Sequence, residues 1–336
     1  HDLGNPPFGH SGEESIRAFF VNNQSALKNN LSEAEWSDFQ FFEGNANALR
    51  LLTQKMEGKR AGGFKLSYPV LSSIVKYPWE SSYNAKGKFG FFQTEKECYS
   101  SIAQTLGIPV EEGAALAFSR HPLVYLVEAA DDICYQVMDI EDAHKLGILS
   151  TEQVHHLFLN FFDQSEDKKS LTKVKETLHE VTDANEQIAF LRSITIGKLT
   201  RECATAFELN YESIMNGYAI QPLTGQLSSA ANAAYNQVKS IAIEQVYNHR
   251  TVVEIEIAGY QILNTLLEII GFAMIDQKSK YSKKVLQLIP RQYITPHPSP
   301  YLRWMATLDF VSGMTDVYAL EMYRTFKGIS IPGITG

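Results

Sequence analysis

From Pro122 onward, apolar residues return three and four positions apart: Leu123, Leu126, Val127, Ala130, Cys134 and Val137. That is the period of an α-helix with one buried stripe. Proline is favoured in the first helical turn, so Pro122 marks the start. The same period runs through residues 11–23, 31–54, 69–77, 93–106, 151–165, 170–195, 198–218, 227–246 and 301–326. None of these carries an alternating run of strand length. The stretch Thr251–Ile257 (TVVEIEI) does alternate, but LNTLLEIIGFAMI continues it with helical spacing, so helix is expected there too. Residues 285–300 read as a Pro-rich connector. The fold class that follows is all-α.

Beside the stripe, Asp131, Tyr135 and Asp139 stand four apart on one column of the Pro122 helix, with Asp132 following the first acid. Acids next to an apolar stripe are costly to bury unless paired or bound to a cation.

Chemistry is densest in the first residues, HDLGNPPFGHSGEESI. His1 and Asp2 are two metal-ligand types side by side. Gly and Pro prevent a helix from running through Gly4–Gly9, so the chain bends, and both ends of the bend can face one point. Ser11 with Glu14 fits a capping box, which puts a helix start at Ser11. Glu13 then lies in the first turn near His10. A carboxylate beside an imidazole orients it and raises its pKa, as suits a general acid or base. By itself a His–Asp doublet is common and weak.

Composition narrows the classes. A net charge of −8 argues against a broad nucleic-acid-coating surface. No apolar run approaches the roughly 20 residues that span a bilayer, so no membrane partner is expected. The cysteines are Cys98, Cys134 and Cys203; scattered and odd in number, they fit neither a disulfide framework nor a zinc ribbon. A cytoplasmic setting is expected. The absence of a starting Met, with the motif at residue 1, leads us to expect further residues upstream.

At HDLGNPPFGHSGE the sequence resembles the bacterial deoxyguanosinetriphosphate triphosphohydrolases, a branch of the HD-domain phosphohydrolases. The resemblance returns in order at FEGNAN (42–47), KYPW (76–79), KFGFFQTEKE (88–97), RHPLVYLVEAADDICY (120–135), VYNHRTVVEIEIAGY (246–260) and SGMTDVYALEMYR (312–324). It implies an HD-domain helical core with additional C-terminal helices: residues 1–149 as the metal-binding catalytic core, 150–336 packed on it. It also implies a metal cage of two His and two Asp, in which His1 and Asp2 match the doublet and Asp131 the last Asp. Asp131 is preferred to Asp132 because the family carries a Tyr four residues later and an Asp eight later. The family's first His falls upstream of residue 1.

The implied reaction is metal-dependent attack at the α-phosphorus of a deoxynucleoside triphosphate, dGTP foremost, releasing a deoxynucleoside and tripolyphosphate. Imidazole and carboxylate donors suit Mg²⁺ or Mn²⁺, with Fe²⁺, Ni²⁺ or Zn²⁺ as other borderline choices. His10, oriented by Glu13, is expected to manage the proton at the leaving oxygen. Lys76, Tyr77 and Lys88 are implied phosphate contacts, and Asn45 lines the pocket. Tyr135 and Asp139 lie on the sugar side, where the Tyr135 ring beneath C2′ excludes ribose. Asn5 stands where some relatives have another His. Relatives imply a homo-oligomer, hexamer or tetramer, and a nucleotide or single-stranded DNA effector, for which the basic segment Lys278–Arg291 is a candidate. His121, His144, His249, Trp36, Trp79 and Trp304 read as structural, and Asp309 and Asp316 have no assigned role. Two alternatives remain: another HD-domain nucleotide phosphohydrolase, or a nucleotide- or single-strand-binding regulator with a defective metal site.

Overall fold

A computed structural model describes residues 2–54, 63–83, 87–113 and 115–330. His1 and the side chain of Asp2 lie outside what is described. Among the described residues there are helices and isolated β-bridges but no strand. The chain divides into two compact units, residues 1–121 with 254–336, and residues 122–253. The division foreseen at 149/150 falls between two helices of the second unit. The first unit is discontinuous, with the second inserted in its sequence, and local periodicity carries no mark of such a return.

The first unit opens with a 3-10 turn, Asp2–Gly4, followed by α1 (Gly9–Asn22), α2 (Gln24–Leu27), α3 (Glu33–Gln40), α4 (Gly44–Thr53), α5 (Tyr68–Ser73) and α6 (Lys96–Leu106). The SEAEW start is a complete capping box, Ser32 with Glu35, which satisfies orphan N–H groups of α3. The single helix foreseen over 31–54 is two, separated at Phe41–Glu43.

The second unit contains α7 (Pro122–Lys145), α8 (Thr151–Leu159), α9 (Lys168–Glu180), α10 (Ala184–Leu209), α11 (Tyr211–Met215) and α12 (Ser229–Ile241), then a π-helical turn, Ala242–Tyr247. Its core draws on Tyr125, Ile133, Val137, Ile140, Phe158, Leu191, Leu199 and Val238, among others. The stripe foreseen on α7 is corrected. Leu123 and Leu126 are 41% and 37% exposed, and the buried column is Tyr125, Ala129, Ile133, Val137 and Ile140. The first turns of α7 are apolar on nearly every side, so the period has two solutions and packing selects one.

The chain returns through α13 (Arg250–Ile275), α14 (Lys280–Gln287), α15 (Pro300–Ser312) and α16 (Asp316–Phe326). TVVEIEI is helical, as expected. The connector foreseen at 285–300 overlaps the end of α14, and the helix foreseen over 301–326 breaks at Gly313. By length and hydropathy α13 passes the test for a membrane span, but 56% of its most apolar window is buried. Leu263, Leu266, Leu267 and Ile270 pack among Phe20, Phe39 and Trp304 in the core of the first unit. Trp304 reaches α13 because Gly271 lacks a side chain: a Cβ there would stand 2.0 Å from the indole. A second cluster of this unit gathers Leu49, Phe91, Tyr99, Ile102 and Phe118. Helix α4 serves both, giving Ala46 to the first cluster and Leu49 to the second.

Candidate active site

In the first unit the geometry of the site begins at Phe8. It precedes α1 with φ 64°, a left-handed conformation that costs an L-residue roughly 1–2 kcal/mol. Its N–H donates to Asp316 Oδ1 at 3.0 Å. Its ring occupies the space of the missing Gly259 side chain, whose Cβ would lie 2.4 Å from Phe8 Cγ. Asp316 thereby has a structural role. Helix α1 starts at Gly9, so the Ser11 cap is corrected: Ser11 lies inside the helix and its hydroxyl donates to the Glu256 carbonyl at 3.2 Å.

Glu13 is buried. Its Oε1 accepts the Gly44 N–H at 2.7 Å. Gly44 is the first residue of α4, so a carboxylate from α1 sits on the positive end of another helix. Glu13 Oε2 lies 3.4 Å from the Arg17 guanidinium and 4.0 Å from Lys88 Nζ. Burial, and next the negative charge of Glu43, raise the Glu13 pKa above the ordinary carboxylate value. His10 is exposed, and among the described residues no hydrogen bond joins it to Glu13. The carboxylate turns instead to the Gly44 N–H and the two cations, which compensate its burial.

The Gly44 peptide fixes a second element. Its carbonyl oxygen lies where a Gly4 Cβ would approach to 1.9 Å, so the turn that carries Asp2 rests directly on α4. A Cβ on Gly44 itself would stand 2.5 Å from Asn5 Oδ1 and 2.7 Å from Glu13 Oε1. Next to it, buried Glu43 accepts from Asn45 Nδ2 at 2.6 Å through Oε1. Through Oε2 it meets Lys88 Nζ at 2.7 Å and Arg17 at 3.2 Å. Lys88 is held by its backbone as well, its carbonyl accepting Trp79 Nε1–H at 2.6 Å. Further along, the Tyr77 ring has two cations near its face, Lys76 Nζ at 5.8 Å and the Arg120 guanidinium at 5.9 Å from its centre.

In the second unit, Asp131, Tyr135 and Asp139 share one column of α7. Asp132 is engaged within the unit, accepting the Thr224 hydroxyl at 2.9 Å. Tyr247, on the π-helical turn, donates its hydroxyl to Asp139 Oδ2 at 2.5 Å. Its ring centre is 6.0 Å from that of Tyr135, which is itself 50% exposed. Burial raises the Asp139 pKa, against the Tyr247 hydrogen bond, which lowers it.

Residues 225–325 match the model of the phosphohydrolase-associated domain. A Pseudomonas aeruginosa protein named deoxyguanosinetriphosphate triphosphohydrolase-like protein is 35% identical over 99% of this chain and 76% of its own length. A Synechocystis protein of the same name is 32% identical over 98% and 76%. The chain belongs to the deoxyguanosinetriphosphate triphosphohydrolase family. A Yersinia enterocolitica member, named deoxyguanosinetriphosphate triphosphohydrolase, is 27% identical over 96% of this chain and 76% of its own length.

For this family member, the structure brings Glu13, Asn45 and Lys88 into one cluster in the first unit, and Tyr135 and Asp139 into one in the second. Lys76 and Tyr77 adjoin each other. His1 and the Asp2 side chain fall outside the described residues. Among the described residues, no three His, Cys, Asp or Glu side chains gather as a metal site. Sequence reasoning missed Arg17, Glu43, Gly44 and Tyr247. Arg17 was readable as the i+4 partner of Glu13. Gly44 and Tyr247 meet their partners through the tertiary fold, and so does Glu43 with Arg17 and Lys88. His144, read as structural, bonds through Nε2 to Thr151 Oγ1 at 2.9 Å. Trp36 and Trp304 are core residues, whereas Trp79 is half-buried.

Proposed function

We propose that this chain is a metal-dependent deoxynucleoside triphosphate triphosphohydrolase, acting foremost on dGTP. The observation that carries the reading is the likeness, along 99% of the chain, to a protein named deoxyguanosinetriphosphate triphosphohydrolase-like protein. The buried cluster of Glu13 and Glu43 supports it, since it gathers two carboxylates with the Lys88 ammonium and the Asn45 amide.

A divalent ion, Mg²⁺ or Mn²⁺ foremost, would be held by His1, Asp2 and Asp131. The donor chemistry fits, because imidazole and carboxylate oxygens suit such ions. Bound there, the ion supplies Lewis-acid polarisation of a phosphoryl oxygen and a water of lowered pKa. The chain's own groups do the rest. Lys76, Tyr77 and Lys88 hold the triphosphate, and Asn45 lines the pocket. The oxygen of water bonds to the α-phosphorus and gives up a proton to solvent as the bond from that phosphorus to the 5′-oxygen breaks. His10, within one turn of Glu13, delivers the proton that the departing 5′-oxygen takes. Tyr135, braced by the Tyr247 ring, packs beneath C2′ and leaves no room for a ribose hydroxyl, and Asp139 accepts from the sugar. The assembled enzyme is a homo-oligomer in the cytoplasm, tuned by a nucleotide or single-stranded DNA.

Phosphorus NMR of the purified protein, with each dNTP or GTP and Mg²⁺ or Mn²⁺, tests this. Tripolyphosphate and free deoxynucleoside are expected, with loss of turnover in Asp131→Ala. Orthophosphate or pyrophosphate would mean that a different bond is cut. No turnover of any dNTP, alone or mixed, would overturn the reading in favour of another phosphohydrolase or a binding protein.

A further inference from the structure

Four charged side chains of the first unit meet in one small volume: Glu13 and Glu43, both buried, with Arg17 and Lys88. Their formal charges cancel. The connections are unequal, however. Glu13 reaches Lys88 only at 4.0 Å, whereas Glu43 touches Lys88 at 2.7 Å, Arg17 at 3.2 Å and Asn45 at 2.6 Å. Its side chain is 1% exposed.

We propose that Glu43 is a positioning residue for the triphosphate: its carboxylate sets the side chains of Lys88 and Asn45 for binding. This rests on the reading of those two residues as substrate contacts. Lys88 stands between Gly87 and Gly90 on a loop, and a lysine there has many rotamers of similar energy. A charge-assisted hydrogen bond selects one of them before the ligand arrives. The Asn45 amide is fixed in the same way. Because Nδ2 donates to Glu43, Oδ1 is turned to the other side, ready to accept from a donor on the ligand. Arg17 completes the device. It is anchored by its Nε to the Phe42 carbonyl at 2.7 Å and shares a guanidinium nitrogen between both acids. Lys88 can therefore turn part of its charge toward a phosphate while Glu43 keeps a cationic partner, so no buried carboxylate is left alone.

The test is a double-mutant cycle in dGTP kinetics: wild type, Glu43→Gln, Lys88→Met and the double variant, with a melting temperature for each. Glu43→Gln keeps the shape and the acceptor for Asn45 but loses the charge that holds Lys88. It is expected to raise KM about tenfold with a smaller change in kcat, the scale of one lost charged hydrogen bond. The double variant should match Lys88→Met within about twofold, because Glu43 acts through that lysine. A Glu43→Gln enzyme with wild-type KM overturns the proposal, and so do effects that multiply fully in the double variant. Should Glu43→Gln alone fail to fold, the charge-balanced double variant decides: a KM well above that of Lys88→Met refutes positioning. A wild type inactive on every dNTP removes the functional reading and this proposal together. An active wild type with an indifferent Glu43 removes the proposal alone.

Discussion

Asp38 carries the clearest pH dependence of any single residue. It is fully buried, and burial raises its carboxyl to about 7 against three donors that favour the anion: Gln93 N–H, Ser81 Oγ and Tyr301 Oη. An unfolded aspartate titrates near 3.8. Between these values the folded state binds more protons than the unfolded one, so stability falls as pH rises through the window and levels off above it. Asp38→Asn removes the titration. Urea unfolding from about pH 4 to about pH 7 should therefore show wild type losing ground to the variant, by up to about 1.4 kcal/mol per pH unit. A constant difference would mean that Asp38 is ionised throughout. Residues of this kind are only half legible in a sequence. Glu13 was singled out for its spacing from His10, yet its partners are Gly44, Arg17 and Lys88, of which only Arg17 lies a helical turn away. The ion pairs of Glu43 carry no local signal, since Arg17 and Lys88 lie 26 and 45 positions from it.

Elements are tied together by Arg50, and here one side chain decides how three helices stay in register. From α4 it forms a two-pronged pair with Asp309 on α15, at 2.6 and 2.7 Å, and reaches Glu95 beside α6 at 2.7 Å. Asp309, which had no role in the sequence, finds one. Arg50→Leu strands two buried acids, so urea unfolding should show a loss of about 3–5 kcal/mol. Asp309→Asn should cost less, because Glu95 still holds the guanidinium. A loss under about 1 kcal/mol in Arg50→Leu would mean that water replaces the pair. Helix existence was legible nearly everywhere, because the 3.6-residue period needs only neighbours. Which face of α7 is buried was not, because Leu123 and Leu126 compete with Tyr125 and Ala129 for the same stripe. The break at Phe41–Glu43 was also hidden, since that segment has no proline to announce it.

The whole molecule consists of one continuous and one interrupted unit, and the continuous one has a core drawn from Tyr125 to Val246 alone. A core of its own is what independent folding requires. The fragment 122–249 is expected to be helical by circular dichroism and to unfold cooperatively in urea; a broad, non-cooperative transition would show that it needs the rest of the chain. The interrupted unit has a different history. Chains are made from the N-terminus at roughly 5–20 residues per second. Glu13, Glu43 and Lys88 therefore emerge early, while Trp304 and Met305, which close the core beneath them, follow only after the inserted unit has been made. For on the order of ten seconds at those rates, the nascent chain holds Phe19, Phe20 and Phe39 in a core that still lacks its α13 and α15 side chains, and in that interval a chaperone at the ribosome would find its binding surface.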